Sequence, residues 1–359
     1  MQEKKELKIK FKTAIILIVV TLIFLAILFA IIISKTGDIS QTKKQAKNTD
    51  FQLKFLKLEN NKQNMVYSPL AIQYALNMLR EGASGNTKTQ IENVIGDLEL
   101  KKYNNIDKVL SLANGIYIRD SYSQYVKENY IKTLAEKYNA EVNYDSFSNA
   151  NNINKWIENK TLGIIKNMLP DEIVQNEDTK MLLINALAID MEWENSFDTE
   201  STRGADFYFE DGSTMKATTM NIETSSDSIS YYKDDNITEI TMDLKKYDDT
   251  QLEFVAIMPE ENLSDYIENF TLDDLNKTIK KSTLASNTKN GVEISIPKFS
   301  FEYNLKLKED LIKLGITDAF DKYSADLINM YYADKTDNRL YVEDTLHKAN
   351  IDFTEKGIK

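Results

Sequence analysis

An α+β domain behind a single membrane-spanning helix is the fold class the sequence predicts, on three observations. Capped, amphipathic helical stretches fill much of the first half of the chain, most clearly after Ser68-Pro69. After Asp211-Gly212 strand-like runs dominate, among them Leu252 to Met258 and Val292 to Ser300. Ahead of both stands Thr13 to Ile33, 21 uncharged and almost wholly apolar residues.

That apolar run matches the roughly 20 residues a helix needs to cross a bilayer. A cleaved signal peptide has a shorter apolar core, about 7–15 residues, and ends in a small-residue cleavage site. Ala26-Ile-Leu-Phe-Ala30 makes a poor one. Five lysines at positions 4, 5, 8, 10 and 12, against Glu3 and Glu6, put the N-terminus in the cytoplasm. The expected organisation is a cytoplasmic tail over 1–12, a transmembrane helix over 13–34, a polar stalk over 35–47 and an extracellular domain over 48–359. On this reading the protein is a single-pass cell-membrane protein, and its N-terminal helix has the membrane as partner.

Within the domain, Asn48-Thr-Asp50 offers capping side chains before the amphipathic pattern Phe51, Leu53, Phe55, Leu56, Leu58. Ser68 is an N-cap and Pro69 a first helical residue whose missing N–H costs nothing; Gly82 ends that helix. Its apolar positions cover more than one stripe, which predicts a largely buried helix. Thr87 and Gln90 form a capping-box pair for the next helix, closed by Gly96. Leu112 to Ile118 reads as a strand, and Ala150 to Leu169 as an amphipathic helix carrying Trp156, Ile157, Ile164 and Ile165. Leu182 to Ile189 is an apolar run broken by one amide, a buried strand whose Asn185 must find partners. Leu305 to Leu314 is a further helix, closed by Gly315. From Leu346 to Thr354 the pattern alternates with period two, placing His347, Ala349, Ile351 and Phe353 on one face of a strand.

Composition excludes several chemistries. The chain has 359 residues, 42% of them hydrophobic and 28% charged, which is folded protein and not disorder. It has no cysteine and one histidine, so disulfides, zinc–thiolate sites, cysteine nucleophiles and multi-histidine metal sites are out, and no metal or cofactor is expected. The net charge is -12; the tail contributes +3, leaving -15 on the rest, which repels phosphate backbones and argues against a nucleic-acid partner. Gly82 to Thr89 imitates a phosphate-binding loop but has Thr87 at the second glycine position and follows a helix. A hydrolase triad would need His347 as its base, and no nucleophile elbow surrounds Ser68. No catalytic residue is assigned, and neither an enzyme nor a small-molecule substrate is expected. Ser68, Asn185 and His347 are polar where the patterns predict burial; they satisfy either one another or the nearest backbone.

Taken together, an ordered series of motifs resembles the serpin family. It comprises Asn48-Thr-Asp-Phe51, Asn64-Met-Val-Tyr-Ser-Pro-Leu-Ala-Ile72, Gly82-Ala-Ser-Gly-Asn-Thr87, Phe147 with Ile153-Asn-Lys-Trp-Ile-Glu-Asn-Lys-Thr161, and Leu183-Ile-Asn-Ala186. It continues through Trp193, Phe197, Thr202-Arg203, Ile296-Pro-Lys-Phe299, Leu314-Gly-Ile-Thr-Asp-Ala-Phe320, Leu346-His-Lys-Ala349 and Glu355-Lys-Gly357. The resemblance implies a serpin-like fold: a large, mostly antiparallel central sheet, two smaller sheets and surrounding helices. It implies a protease as partner, serine type, trapped covalently when a cleaved reactive loop inserts into the central sheet.

By matching positions, Ser68, Asn185 and His347 resemble the polar cluster beneath the point where that sheet opens, with Ala71 where the family often has a serine. Trp193 and Glu355 match the region where insertion starts. Gly357 matches the hinge glycine, and Ile358 stands where inhibitory members usually have threonine or serine. The reactive loop and the C-terminal strands are expected to be missing. The alternative to an inhibitor is a non-inhibitory serpin-like binding or scaffold protein at the surface.

Overall fold

A computed structural model describes residues 51–359 except 62, 97–99, 101–102, 210, 306 and 334–338. The tail, transmembrane and stalk segments expected over 1–47 lie outside the described residues. Among the described residues no helix is long and apolar enough to cross a membrane. The expected cell-membrane localisation is corrected accordingly.

The described chain opens with helix α1 over 51–58 and α2, Pro69–Gly82. Ser68 caps α2 as its type predicts: its Oγ accepts from the Ala71 N–H at 3.1 Å. Gly82 is the last helical residue and serves packing, since a Cβ there would lie 2.2 Å from Met330 Cγ. Helix α3, Gly85–Ile95, does not use the expected capping box. Thr87 is wholly buried with its Oγ1 accepting from Asp326 N–H at 3.0 Å, and Gln90 Oε1 accepts from Thr317 and Asp318 N–H, each at 2.9 Å. Both side chains tie a distant loop to the helix and leave its N-terminus to others.

Strand β1 (Leu110–Arg119) pairs in parallel with β2 (Ala140–Asp145), which follows helix α4 (Glu128–Tyr138), and antiparallel with β3 (Met181–Ile189). Helix α5 is shorter than the pattern predicts, Asn151–Lys160. Leu162 (φ 54) and Gly163 (φ 78) turn left-handed and Thr161 Oγ1 bonds back to Ile157 O at 2.8 Å, so Ile164 and Ile165 lie beyond the helix. Trp156 of α5 lies over Gly115 of β1, where a Cβ would come within 3.0 Å of the indole. Helix α6, Asp171–Gln175, leads into β3.

One residue past β3 the chain resumes as β4, Met191–Glu192. The strands β5 (Arg203–Tyr208), β6 (Thr214–Thr224) and β11 (Val292–Pro297) form one three-stranded sheet, order β11-β6-β5. A further sheet has the order β10-β7-β8-β9, from Thr283–Leu284, Ile229–Lys233, Ile237–Asp243 and Glu253–Pro259, with helices α7 (Leu263–Asn269) and α8 (Leu272–Lys281) between β9 and β10. The run Val292 to Ser300, expected as one strand, is two: after Pro297 the chain leaves that sheet and continues as β12, Phe299–Leu305, paired with β13, His347–Phe353. Proline has no N–H to extend the ladder, so the switch comes there. Helix α9, Leu307–Lys313, follows β12, and β14 is Gly357–Ile358. The α+β class with several sheets is as expected.

Among the described residues, two of the apolar clusters are the largest. One joins α1, α2, α4 and α9 through Phe51, Phe55, Ile72, Met78, Leu134 and Leu311. The other surrounds Trp193, with Phe254 and Phe353 at ring-centroid distances of 5.6 and 5.2 Å. Between α6 and β3 the loop is held by Arg119, whose guanidinium donates to Thr179 O (2.8 Å), Val174 O (2.6 Å) and Asn176 O (2.8 Å).

Candidate functional site

The central sheet is divided. Its halves are β2-β1-β3 and β12-β13-β14-β4, and because β4 continues β3 along one chain, they are joined at one end only. Below that junction β3 pairs with β1 alone among the described residues, and nothing described pairs with both β3 and β13. A cavity of about 490 Å³ fills the gap, lined among others by Leu76, Leu183, Asn185, Leu311 and His347. An unpaired strand edge over an apolar pocket accepts an added strand.

Ser68 and His347 meet at this slot. The Ser68 N–H donates to His347 Nε2 at 3.1 Å, across 279 residues of sequence. With Nε2 accepting, a neutral imidazole carries its proton on Nδ1. The ring is half-buried against the cavity, and enclosure by protein pushes it down to about 4. The bond to His347 comes from the Ser68 backbone, while the Ser68 hydroxyl oxygen accepts from Ala71 N–H in the helix cap. Asn185 lies on the opposite bank. Its Nδ2 donates to Asn114 Oδ1 at 2.7 Å, and Asn114 Nδ2 donates to Tyr138 O at 2.7 Å. Asn185 Oδ1 is buried without a partner. The structure therefore brings two of the three predicted polar residues into contact and gives the third a different partner. Asn114 was missed, although an amide inside the apolar run Leu112 to Ile118 carries the same signal as Asn185.

At the joined end, Trp193 is wholly buried and holds the turn after β13 through two bonds: its N–H to Lys356 O (3.0 Å) and its Nε1–H to Thr354 O (2.9 Å). Glu355 is buried beside it. Its Oε2 lies 2.9 Å from Lys298 Nζ, and its Oε1 accepts from Thr202 Oγ1 at 3.0 Å. The Lys298 ammonium holds the Glu355 carboxyl below the usual carboxylate range, assisted by the Thr202 hydroxyl and opposed by burial. Lys298 and the β4 residue Glu192, which pairs with Lys356 at 2.9 Å, carry no sequence signal that singles them out among 44 basic and 56 acidic residues. Gly357 opposes Glu192 and Ile358 opposes Met191 on one side, while Ile358 opposes Phe353 on the other. Gly357 and Ile358 thus form a short strand antiparallel to both banks at the head of the slot.

A family model described as serpin (serine protease inhibitor) matches residues 46–359. The matched span reaches residue 359, which lends no support to the expectation of missing C-terminal strands. An uncharacterized serpin-like protein of Methanosarcina acetivorans is 29% identical over 330 residues, 86% of this chain and 73% of its own. The leukocyte elastase inhibitor of Xenopus tropicalis is 28% identical over 323 residues, 83% of this chain and 82% of its own. Among solved structures, the thermophilic serpin tengpin in its latent state is 30% identical, with TM-score 0.74 over 90% of this chain and 87% of that one.

Proposed function

The chain belongs to the serpin family, and on that premise we propose that it inhibits serine proteases by taking a reactive-loop strand into the slot between β3 and β13. Serpins act by inserting their reactive loop into the central sheet. What supports the reading most is the position of Gly357 and Ile358, already paired antiparallel with Met191 and Glu192 on one side and Phe353 on the other. A strand continuing in that direction runs along the unpaired edge of β3 and over the cavity.

In this reading Ser68, Asn185 and His347 control the opening. Asn185 Oδ1 is a buried acceptor without a partner on one bank, and whatever satisfies it decides whether the banks stay apart. Trp193 and Glu355 fix where insertion begins, and Gly357 and Ile358 are the hinge. A second reading, a non-inhibitory serpin-like binding or scaffold protein, is favoured by Ile358 and Ala71, both departures from the pattern of inhibitory members.

The test mixes the full-length gene product with trypsin-like, elastase-like and subtilisin-like serine proteases. A covalent complex that survives denaturing electrophoresis is expected with at least one. Cleavage of the protein by all three classes without any such complex would falsify inhibition and leave the second reading.

A further inference from the structure

We infer that the cavity between α2, β3, α9 and residues 340–347 is a binding site for an uncharged amphiphile, a single alkyl chain with a hydroxylated head; the inference goes beyond the inhibitor reading and stands without it. At about 490 Å³ the cavity falls within the roughly 300–1,000 Å³ of small-molecule sites. Its size has a cause in the sequence. Ala71 and Ala75, one turn apart on α2, both line it with short side chains where longer ones would fill the space. On the far side residues 340–346 form neither helix nor strand, and β13 starts only at His347.

The lining selects both ends of the ligand. Leu76, Leu79, Leu311, Leu327 and Met330 are buried apolar side chains and suit an alkyl tail. Two oxygens interrupt them: Asn185 Oδ1 and Thr345 Oγ1 line the same cavity, each buried without a partner, and a ligand group that bonds them recovers the cost of leaving them unpaired. Asn185 Oδ1 can only accept, and the amide nitrogen beside it is already given to Asn114 Oδ1. The Thr345 hydroxyl donates or accepts. A ligand hydroxyl therefore serves either oxygen, and a vicinal diol supplies one group for each. A carboxylate would turn lone pairs toward Asn185 Oδ1. An ammonium could donate to it, but the carboxylates among the lining residues, Glu172, Asp178, Glu343 and Asp344, are all exposed, so the cation would be buried without a counter-ion.

Isothermal titration calorimetry on the full chain tests this, with a decanediol bearing vicinal hydroxyls at one end, decanoate and decylammonium as the probes. The diol is expected to bind one-to-one, and the two charged probes at least about tenfold more weakly. Each methylene removed from the diol's tail should weaken it by about fourfold. Asn185→Leu should weaken the diol by about five- to a hundredfold and Thr345→Val by about fivefold or more, since each leaves one ligand hydroxyl without its partner. Ala75→Leu puts a branched side chain in the path of the tail and should weaken it by at least about tenfold. All variants keep the apolar run of residues 13–33, so a difference between them reports the cavity and not that segment. Thermal melting shows which variants are folded, and the near-isosteric Thr345→Val carries the test if the other two are not. No saturable binding of the diol, equal binding of the three probes, or diol affinity unchanged in the folded variants overturns the inference. No protease enters the assay, so its outcome is independent of whether the protein inhibits one.

Discussion

His347 offers the sharpest check on the slot. Its imidazole, pushed from the 6.5 of an unperturbed histidine to about 4, is neutral in the folded protein at any pH above that value. In the unfolded chain it takes up a proton near 6.5, so its contribution to stability is complete above pH 6.5, declines as pH falls and is exhausted below about 4. At about 1.4 kcal/mol per pH unit the gap is worth about 3 kcal/mol. Water reaching the half-buried ring along the slot lowers that value, which makes it an upper bound.

The perturbation is His347→Gln, which retains an acceptor for the Ser68 N–H and cannot titrate. The assay is urea unfolding of both proteins at pH 7.5, 5.5 and 4. Wild type should lose about 1–3 kcal/mol relative to the variant between the first and last pH, and the difference should be confined to that window. Comparing the two proteins matters because buried carboxyls elsewhere titrate with the opposite sign. Parallel profiles over the whole range would refute the enclosure of the ring.

Those carboxyls make a second prediction. Burial, with Glu194 nearby, raises Asp243 to about 6, and burial, with Asp243 and Glu239 nearby, raises Glu253 to about 7. Their stabilisation is present at acid pH and lost as pH rises through about 6 and 7, so Asp243→Asn should flatten the stability profile between about pH 4 and 7, as followed by thermal melting. Lys298→Ala leaves the Glu355 carboxylate without its cation; because Lys298 is 42% exposed, the cost should be about 1–2 kcal/mol, below the roughly 3–5 of a fully buried pair, with a red shift of Trp193 emission as the turn at Thr354 loosens. Arg119→Lys cannot reach three separate carbonyls with one ammonium, and urea unfolding should show a loss of about 1–3 kcal/mol.

Local rules carried the sequence reading where the physics is local. The Ser68-Pro69 start, the Gly96 and Gly315 stops and the strand over Leu346 to Thr354 all rest on capping, left-handed turns or period-two burial; the first three are found and the strand runs His347–Phe353, one residue shorter at each end. The failures involve partners far away in the chain. Thr87 and Gln90 have the spacing of a capping box, yet their oxygens are taken by backbone 227 to 239 residues away. Val292 to Ile296 alternates evenly and the apolar phase shifts by one residue to Phe299 after Pro297, but a period of two says nothing about which sheet each half joins. Ala150 to Leu169 keeps an amphipathic pattern past the point where Leu162 and Gly163 turn left-handed, because apolar spacing does not encode φ.

The candidate site divides along the same line, and the division bears on how the slot works. Ser68, Asn185 and His347 were legible as polar residues in buried patterns, but their pairing was not. Ser68 and His347 belong to one bank, while Asn185 and Asn114 belong to the other. A cluster holding both banks together at once would have to be broken before any strand could enter. Here two side-chain oxygens that line the slot's cavity, Asn185 Oδ1 and Thr345 Oγ1, are buried without a partner. Leaving a buried polar group unpaired costs about 1–3 kcal/mol. Closure of the banks on each other and entry of a strand are two ways of recovering it, so they compete for the same groups. Replacing Asn185 with leucine should therefore remove the acceptor without touching the Ser68–His347 bond, and it should weaken both outcomes together. An effect on only one of them, measured as slot closure by exchange of β3 amides or as protease complex formation, would show that Asn185 does not serve both.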